Sequence, residues 1–394
     1  MTLGDWYRLV VFGFVIIMLL IVRSETMADE TELPFRYRLV TAIDWSDGGD
    51  RLAASTIQQA ESFEGIKSLI SVRSSTTGQS LWSMWLDGQD IVNLHWRSED
   101  QELLAISAQS EVTRFDAQTG AVLSAWSAST NLTFAAPHPL QRIVALFLSQ
   151  LPIRIDPVLV RRLELRDEVD GTTLTSLDLS AALNDSASWL GWSPDGNFLA
   201  LLSYAGEAQI FEWNGQNLQF VRSFSVLPQV LGSSGNISGA WSPDSTQLAV
   251  AVRQYSRGSG LETVYEAVQT SIYDIASGTQ VRTLEVSGEM FAINWNAANG
   301  LIAAIRHVGS AQTGLTSEIR VWSSETGSLV SAENSGDYFT AAVWSPNDQL
   351  TLGRSQSYAE WAADPDDTNI SFANVKAVSN RTFEPPGPSI NRNA

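Results

Sequence analysis

The chain of 394 residues has no cysteine and only three histidines. The absence of cysteine excludes disulfides, thiolate catalysis, cysteine-ligated metal sites and a lipid-modified anchor cysteine. Basic residues are also scarce, with 24 Lys and Arg against 43 Asp and Glu, for a net charge of −19. So acidic a surface repels phosphate backbones, which argues against nucleic-acid binding. A hydrophobic content of 44% with only 17% charged residues excludes global disorder.

Catalytic signatures are missing as well. The chain has no nucleophile-elbow, zinc-protease, phosphate-loop or dinucleotide-binding motif. His95, His138 and His307 are far apart in the sequence, and we expect His95 to be half-buried and His138 to lie in a surface turn. Asp364, Asp366 and Asp367 lack the glycine and glutamate of a calcium loop. The sequence therefore predicts no catalytic residues, no cofactor and no metal, and it leans against an enzyme without excluding one.

One long apolar run stands at the N-terminus, from Leu9 to Val22. Its 14 residues would span roughly 21 Å as a helix, short of the ~30 Å hydrocarbon core unless Trp6 and Tyr7 extend it. Two interpretations remain open: an uncleaved membrane anchor, or a signal peptide cleaved near Ala28. We expect residues 1–32 to be this segment plus an acidic linker, with the protein membrane-associated through residues 9–22. The extracytoplasmic side is favoured, and secretion is the alternative.

A degenerate repeat fills the body of the chain. Tryptophan recurs about every 50 residues, each time before a short polar turn and a second apolar run, and one copy near Ala136 has lost its tryptophan. We predict that these tryptophans are structural anchors between repeats: Trp45, Trp96, Trp192, Trp241, Trp295 and Trp344.

The turns of each repeat indicate four strands. Ser193-Pro194-Asp195-Gly196 fits a type I turn between the first and second strands, and Asp116 to Gly120 fits a turn between the third and fourth. Seven such units predict an all-β fold, a seven-bladed β-propeller of four-stranded antiparallel blades over residues 33–375, preceded by the N-terminal apolar helix. Residues 376–394, with Pro385-Pro386-Gly387-Pro388, are expected to be a disordered tail.

Here the sequence resembles a known family. The stretch from Ile319 to Val330 resembles the third strand, turn and fourth strand of WD-repeat proteins. The stretch from Trp192 to Gly196 resembles the inner turn of those repeats and of the Tol-system propellers. The Gly-His and Trp-Asp dipeptides of the family are absent, so the resemblance is to a degenerate, bacterial type. It implies the propeller fold and a role as a binding platform, without naming a partner.

The connections between second and third strands are predicted to be long, among them 57–68, 149–161, 253–269 and 306–317. In an antiparallel meander they emerge on one rim, where binding residues concentrate. Two basic spots on this rim, together with a tryptophan that precedes a first strand and a histidine, are candidate partner-binding residues: Arg154, Arg161, Arg162, Arg253, Tyr255, Arg257, Trp189 and His307.

The predicted function is a non-enzymatic protein-interaction scaffold with an unknown protein partner and an unknown oligomeric state. The alternative is a propeller enzyme or small-ligand binder. Thr77-Gly78 with Trp82 resembles one copy of the docking motif of quinone-dependent propellers, and a glycosidase would need converging carboxylates. The segment from Phe35 to Val40 alternates like an outer strand, and we expect it to complete the last blade or to pair at its edge.

Overall fold

The structure is a computed structural model, and it describes residues 37–59, 66–97, 100–128, 132–150, 160–179, 187–226, 234–255, 270–285, 290–310, 314–354, 356–357 and 370–372. These residues form antiparallel β-sheets joined by turns. The predicted N-terminal helix, the linker and the C-terminal tail lie outside the described residues. Within the described ranges, no helix is long and apolar enough to cross a membrane.

Seven sheets follow one another along the chain, here numbered sheets 1 to 7. Their strands, in chain order, are as follows. Sheet 1 contains β1 (Tyr37–Trp45), β2 (Arg51–Gln59), β3 (Ile66–Ser74) and β4 (Ser80–Asp87); sheet 2 contains β5 (Ile91–Arg97), β6 (Glu102–Ser107), β7 (Glu111–Asp116) and β8 (Val122–Ser127). Sheet 3 contains β9 (Leu132–Pro137), β10 (Ile143–Gln150), β11 (Val160–Asp167) and β12 (Thr173–Asp178); sheet 4 contains β13 (Ala187–Trp192), β14 (Phe198–Ser203), β15 (Glu207–Trp213) and β16 (Leu218–Ser225). Sheet 5 contains β17 (Ser234–Trp241), β18 (Gln247–Tyr255), β19 (Ser271–Asp274) and β20 (Gln280–Thr283); sheet 6 contains β21 (Phe291–Trp295), β22 (Leu301–Ser310), β23 (Gly314–Ser323) and β24 (Leu329–Asn334). Sheet 7 contains β25 (Phe339–Trp344), β26 (Leu350–Arg354) and β28 (Ile370–Phe372), while the two-residue β27 (Gln356–Ser357) pairs with β1.

The sheets form an all-β propeller of antiparallel blades. The first strand of each sheet contacts the first strand of the next, and β25 of sheet 7 contacts β1 of sheet 1. The expectation of seven four-stranded blades holds for six sheets only, because sheet 7 has three strands among the described residues. The apolar core lies between blades: each of six buried clusters is shared by two successive sheets.

Tryptophan side chains join six of the seven sheets to the sheet before them. The indole Nε1–H of Trp96 donates to the carbonyl oxygen of Asp44 at 3.0 Å, and that of Trp241 donates to Gly191 at 2.9 Å. Trp192 donates in the same way to Ala136. We call the position of the anchor tryptophan in each first strand the slot. In each case the acceptor lies one residue before the slot of the preceding sheet. Register places Pro137, rather than the expected Ala136, at the slot of sheet 3 that lacks a tryptophan.

The remaining anchors follow the pattern less closely. Trp344 donates to the carbonyl oxygen of Asn294 over a longer 3.4 Å, while Trp45 donates to the side-chain oxygen of Thr351, which is fully buried. Trp295 is half-buried against the cluster that contains Ala249 of the preceding sheet. All six tryptophans therefore lie at junctions between sheets.

A second set of contacts runs along the outside of the ring. Turn glycines before the fourth strands have positive φ, and side chains from the preceding sheet lie over four of them, namely Gly120, Gly171, Gly278 and Gly327. Trp82 of β4 lies over Gly120, where a Cβ would be 2.8 Å from its ring. Trp126 of β8 lies over Gly171, where a Cβ would be 2.6 Å away. The single Thr-Gly…Trp copy in the sequence is thus part of a packing contact between blades.

The fourth strands protect the outer edges of the sheets. Each begins with a register shift that leaves one extra residue against the third strand. A bulge of this kind blocks pairing with another chain at an edge strand. The extra residue is a partly exposed aliphatic side chain in all six sheets: Leu81, Leu123, Leu174, Val221, Val281 and Val330.

The ring closes differently from the sequence-based expectation. Residues 37–40 do not form an outer strand of the last blade, because they are the first part of β1 itself. Closure instead uses β27, which pairs with Tyr37 and Arg38, and the Thr340 hydroxyl, which donates to the Val40 carbonyl at 2.7 Å. The third strand of sheet 7 is β28, which pairs with β26.

We predict that Gly171→Ala lowers the free energy of unfolding by more than Gly78→Ala does. Both glycines have positive φ, so alanine pays the same left-handed backbone cost of about 1–2 kcal/mol at either position. Only at Gly171 does the new methyl group clash with the Trp126 ring, whereas nothing lies within 4 Å of a Cβ at Gly78. Overpacking should add about 1–3 kcal/mol, measurable by urea unfolding of the two variants. Equal losses would show that the Trp126 contact is not tight.

Candidate functional site

The ring has two unlike faces. The turns after the slot tryptophans, such as Ser193 to Gly196, and the turns before the fourth strands lie at one end of every sheet; we call this the turn face. The opposite end carries the first residues of the first strand of each sheet, here called the inner strand. It also carries the connections between second and third strands, which leave from Gln59, Gln150, Tyr255 and Ser310. We call this end the hairpin face.

The predicted long loops on the hairpin face are partly strand. The segment 306–317 was expected to be a loop, but β22 and β23 stay paired out to Ser310 and Gly314. The connection 57–68 shortens in the same way, because β2 runs to Gln59 and β3 starts at Ile66. Backbone hydrogen bonds continue along these strands past the last apolar residues. The sequence analysis identified strands by their apolar pattern, so it predicted loops where the side chains become polar.

The two arginines of the first basic spot lie on opposite sides of β11. Arg161 is buried, with 7% of its surface exposed, whereas Arg162 is exposed and forms an ion pair with Glu164 at 3.2 Å. Successive residues of a strand point to opposite faces of the sheet. Of these two arginines only Arg162 is therefore presented to solvent, and a role of either in binding a partner stays a prediction.

The other candidates are dispersed. Arg253 and Tyr255 lie in β18, paired with Asn236 and Ser234, instead of in a loop. Arg154 and Arg257 lie outside the described residues. Trp189 is half-buried, and its ring lies against Gly191 of its own strand and Gly239 of the next inner strand, so it fills the junction between sheets 4 and 5.

Among the candidate residues, His307 packs against two other aromatic side chains. Its ring stacks on Tyr338 with centroids 4.1 Å apart and lies at a tilt to the Phe291 ring, with centroids 4.2 Å apart. Nε2 lies 3.0 Å from the Phe339 carbonyl oxygen, and because a carbonyl only accepts, Nε2 carries the hydrogen. The three half-buried rings form what we call the aromatic stack, on the hairpin face where sheets 6 and 7 meet.

The backbone that carries Phe291 is irregular at the start of β21. Ala292 has φ of +49°, inside a register shift between Phe291 and Asn294. A non-glycine residue in this region stores strain of order 1–3 kcal/mol, which clusters at functional positions. Asp337, the residue before Tyr338, forms an ion pair with Arg354 at 3.2 Å. Aromatic residues and arginine are enriched at protein-binding surfaces.

His138, expected in a surface turn, is buried on the turn face. Its ring packs against Trp192, with centroids 4.7 Å apart, and Nε2 lies 3.1 Å from the Gly196 carbonyl oxygen. Nδ1 accepts hydrogen bonds from the backbone N–H groups of Leu140 and Gln141. Burial lowers the pKa of His138 to about 4, so the ring is neutral and structural. It fills part of the junction beside the slot that has lost its tryptophan.

A buried ion pair joins sheet 3 to the sheet before it. Arg97 of sheet 2 lies 2.8 Å from Glu168 of sheet 3, with side-chain exposures of 5% and 0%. Arg97 also donates to the His138 carbonyl oxygen, and Glu102 binds both Arg114 and Arg142. All of these carboxylates are paired with arginines, so the network holds two blades together. No group of three or more His, Asp or Glu side chains within the described ranges could hold a metal ion.

Asp90 is a carboxylate of a different kind. It immediately precedes β5 on the hairpin face, and its Oδ1 is fully buried without a hydrogen-bond partner. Burial raises the pKa of Asp90 from 3.8 to about 6. The sequence analysis missed Asp90, Phe291 and Tyr338, although all three come four to six residues before a slot tryptophan. Aligning the repeats backwards from the slots would have singled out these positions.

We predict that Asp90→Asn stabilises the protein at pH 7.5 and not at pH 4. A carboxyl group whose pKa is raised on folding contributes stability below its unfolded pKa near 4, and this is lost as pH rises through about 6. Removing the ionisable group should therefore add about 1–2 kcal/mol at pH 7.5. Urea unfolding at both pH values tests this. Asp87→Asn, an exposed carboxylate paired with Lys67, should show no such gain. An equal gain in both variants would assign the effect to net charge.

Comparison with known proteins supports the fold and goes no further. No family model matches the chain, and no curated protein sequence matches it. Among solved structures 1473 chains are similar, so the likeness identifies an architecture and not a partner. One is a chain of the structure described as "Crystal Structure of Mitotic Checkpoint Complex", with a TM-score of 0.55 and 13% sequence identity, covering 84% of this chain and 96% of that chain. Membership of the WD-repeat family stays a prediction.

Proposed function

We propose that this protein is a non-enzymatic interaction scaffold that binds a protein partner through the hairpin face of its propeller. The aromatic stack of Phe291, His307 and Tyr338 carries this proposal. We further propose that sheet 7 is the seventh blade of a seven-bladed, WD-like ring. Residues 9–22 would hold the ring at a membrane, on the extracytoplasmic side.

The two faces differ in what they offer a partner. Turn-face carboxylates such as Asp116 and Asp274 are engaged by hydroxyl groups of their own turns, and Glu168 is paired with arginines. The hairpin face instead presents half-buried aromatic rings on a strained strand start, which are anchors of the kind that dominate binding energy. No observation on the described residues favours the alternative of an enzyme or small-ligand binder.

Site-specific photocrosslinking would locate the binding face. We predict that a benzophenone amino acid in place of Tyr338 captures a protein partner in the producing cells, because the ring is partly exposed at the proposed interface. The same amino acid in place of Leu140, which is 73% exposed on the turn face, should capture little. Stronger capture from the Leu140 position would assign binding to the turn face.

Truncation tests the anchoring proposal. We predict that the full chain pellets with membranes and that deletion of residues 1–22 moves it to the soluble fraction with an unchanged melting temperature. No other apolar run in the sequence approaches spanning length. Membrane pelleting of the truncated chain, resistant to carbonate, would contradict anchoring through residues 9–22.

A further inference from the structure

The N-terminal segment joins the ring on the hairpin face. β1 begins at Tyr37 and runs toward the turn face, which it reaches at Trp45. The start of β1 is held on both sides, because Arg38 pairs with Gln58 of β2 and with Gln356 of β27. The residues that precede Tyr37 are therefore attached at the hairpin-face end of an inner strand, close to the axis of the ring.

The aromatic stack lies beside this attachment point. Tyr338 immediately precedes β25, and β25 contacts β1 where the ring closes. The Thr340 hydroxyl, two residues after Tyr338, donates to the Val40 carbonyl oxygen of β1 at 2.7 Å. The surface proposed to bind a partner and the attachment point of the N-terminal segment are therefore on neighbouring inner strands.

The connection from the apolar run to β1 is short. Only 14 residues, 23–36, separate residues 9–22 from Tyr37. A chain of that length spans at most about 50 Å when fully extended, and a flexible one has an r.m.s. end-to-end distance of about 20 Å. If residues 9–22 lie in a membrane, this reach limits which face of the ring can be turned toward it.

The turn face is too far from the attachment point to be turned toward the same membrane. From β1 to the outer strand of its sheet there are three strand spacings, or about 14 Å. The nine residues of β1 measure about 30 Å along the strand. A connection that passes around the edge of the sheet to the turn face would need about 45 Å, which leaves a chain of 14 residues almost no conformational freedom. The hairpin face requires no such detour.

We propose that the hairpin face lies toward the membrane and that the protein partner of the aromatic stack is itself anchored in that membrane. This inference rests on the proposed function, and it adds where the partner is held and which part of it binds. A gap of about 20 Å is narrower than a folded domain of 100 residues, which is about 30 Å across. A chain segment that emerges from the bilayer fits this gap, and anchoring in one membrane raises its effective concentration at the stack.

Charge favours a protein segment over the lipid itself as the occupant of the hairpin face. Residues 23–36 contain four acidic residues against two arginines, and the net charge of the chain is −19. Negative charge repels anionic headgroups, so the ring is held off the bilayer surface and the aromatic rings stay open to a protein.

Energy transfer to labelled lipids tests the orientation of the ring. The chain has no cysteine, so one introduced cysteine can carry a donor dye on either face. Val92→Cys places the dye near the hairpin-face start of β5, and Leu140→Cys places it on the turn face; both side chains are exposed. With the full chain in phosphatidylcholine liposomes that contain acceptor-labelled lipid, transfer from position 92 should be at least twofold more efficient. Equal transfer, or more efficient transfer from position 140, would overturn the inference.

A longer connection separates limited reach from adhesion to lipid. An insert of about 40 Gly and Ser residues after Glu32 raises the r.m.s. reach to about 40 Å, so the difference between positions 92 and 140 should disappear. A difference that persists in the lengthened chain would show that the hairpin face adheres to the bilayer. That outcome would replace the protein partner with the lipid surface.

A protease site inserted after Glu32 tests whether the partner is anchored. The benzophenone amino acid at position 338 is photoactivated in the producing cells, and the connection is then cut in isolated membranes. The uncrosslinked ring should be released, whereas the crosslinked ring should stay in carbonate-washed membranes, held by the partner's own anchor. Release of both would overturn this inference and leave the scaffold proposal standing. Recovery of the uncut chain in the soluble fraction would instead reject anchoring through residues 9–22, and this inference with it.

Discussion

The propeller depends on the hydrogen bond from an indole N–H to a backbone carbonyl of the preceding sheet. At Trp96, Trp192 and Trp241 the acceptor is the residue just before the equivalent slot, so one contact sets both the spacing and the register of neighbouring inner strands. A tryptophan also fills a large volume between two sheets that share few backbone hydrogen bonds. The repeat therefore forms a ring without Gly-His or Trp-Asp dipeptides.

The indole hydrogen bonds act at the turn-face end of each inner strand. They do not fix the backbone pairing at the hairpin-face end. Register shifts occur near the hairpin-face end of β1, β5, β13, β21 and β25. Polar side chains of these irregular starts tie neighbouring sheets together, as when the Thr41 hydroxyl donates to the Ile91 carbonyl at 2.6 Å. Phe291 opens β21, while Asp90 and Tyr338 immediately precede β5 and β25, so these three side chains lie at the same irregular end of their sheets. The sequence varies more at this end than at the end that carries the tryptophans.

The same division explains what could be predicted from the sequence. Trp slots, Ser-Pro-Asp turns and apolar second strands repeat because each satisfies a local rule, so the propeller and most of its strands could be derived. The burial of Arg161 and His138 could not, because it depends on which neighbours the ring brings to them. The extent of β22 and β23 was missed because backbone pairing continues past the apolar pattern. The unpaired oxygen of Asp90 is visible only once the surrounding donors have been assigned.

The distribution of acidic residues separates structural charge from functional charge. Hydroxyl groups within the turns hold the pKa of Asp116, Asp244 and Asp274 below the usual range, since Thr119, Ser242 and Ser277 donate to them. Each of these carboxylates gains from being ionised in the folded state, so its charge belongs to the turn that it closes. Asp90 has the opposite property: it is ionised at a cost, and no described side chain repays it. A strongly negative net charge therefore says little about binding by itself, because carboxylates such as Asp116, Asp244 and Asp274 serve the turns that they close.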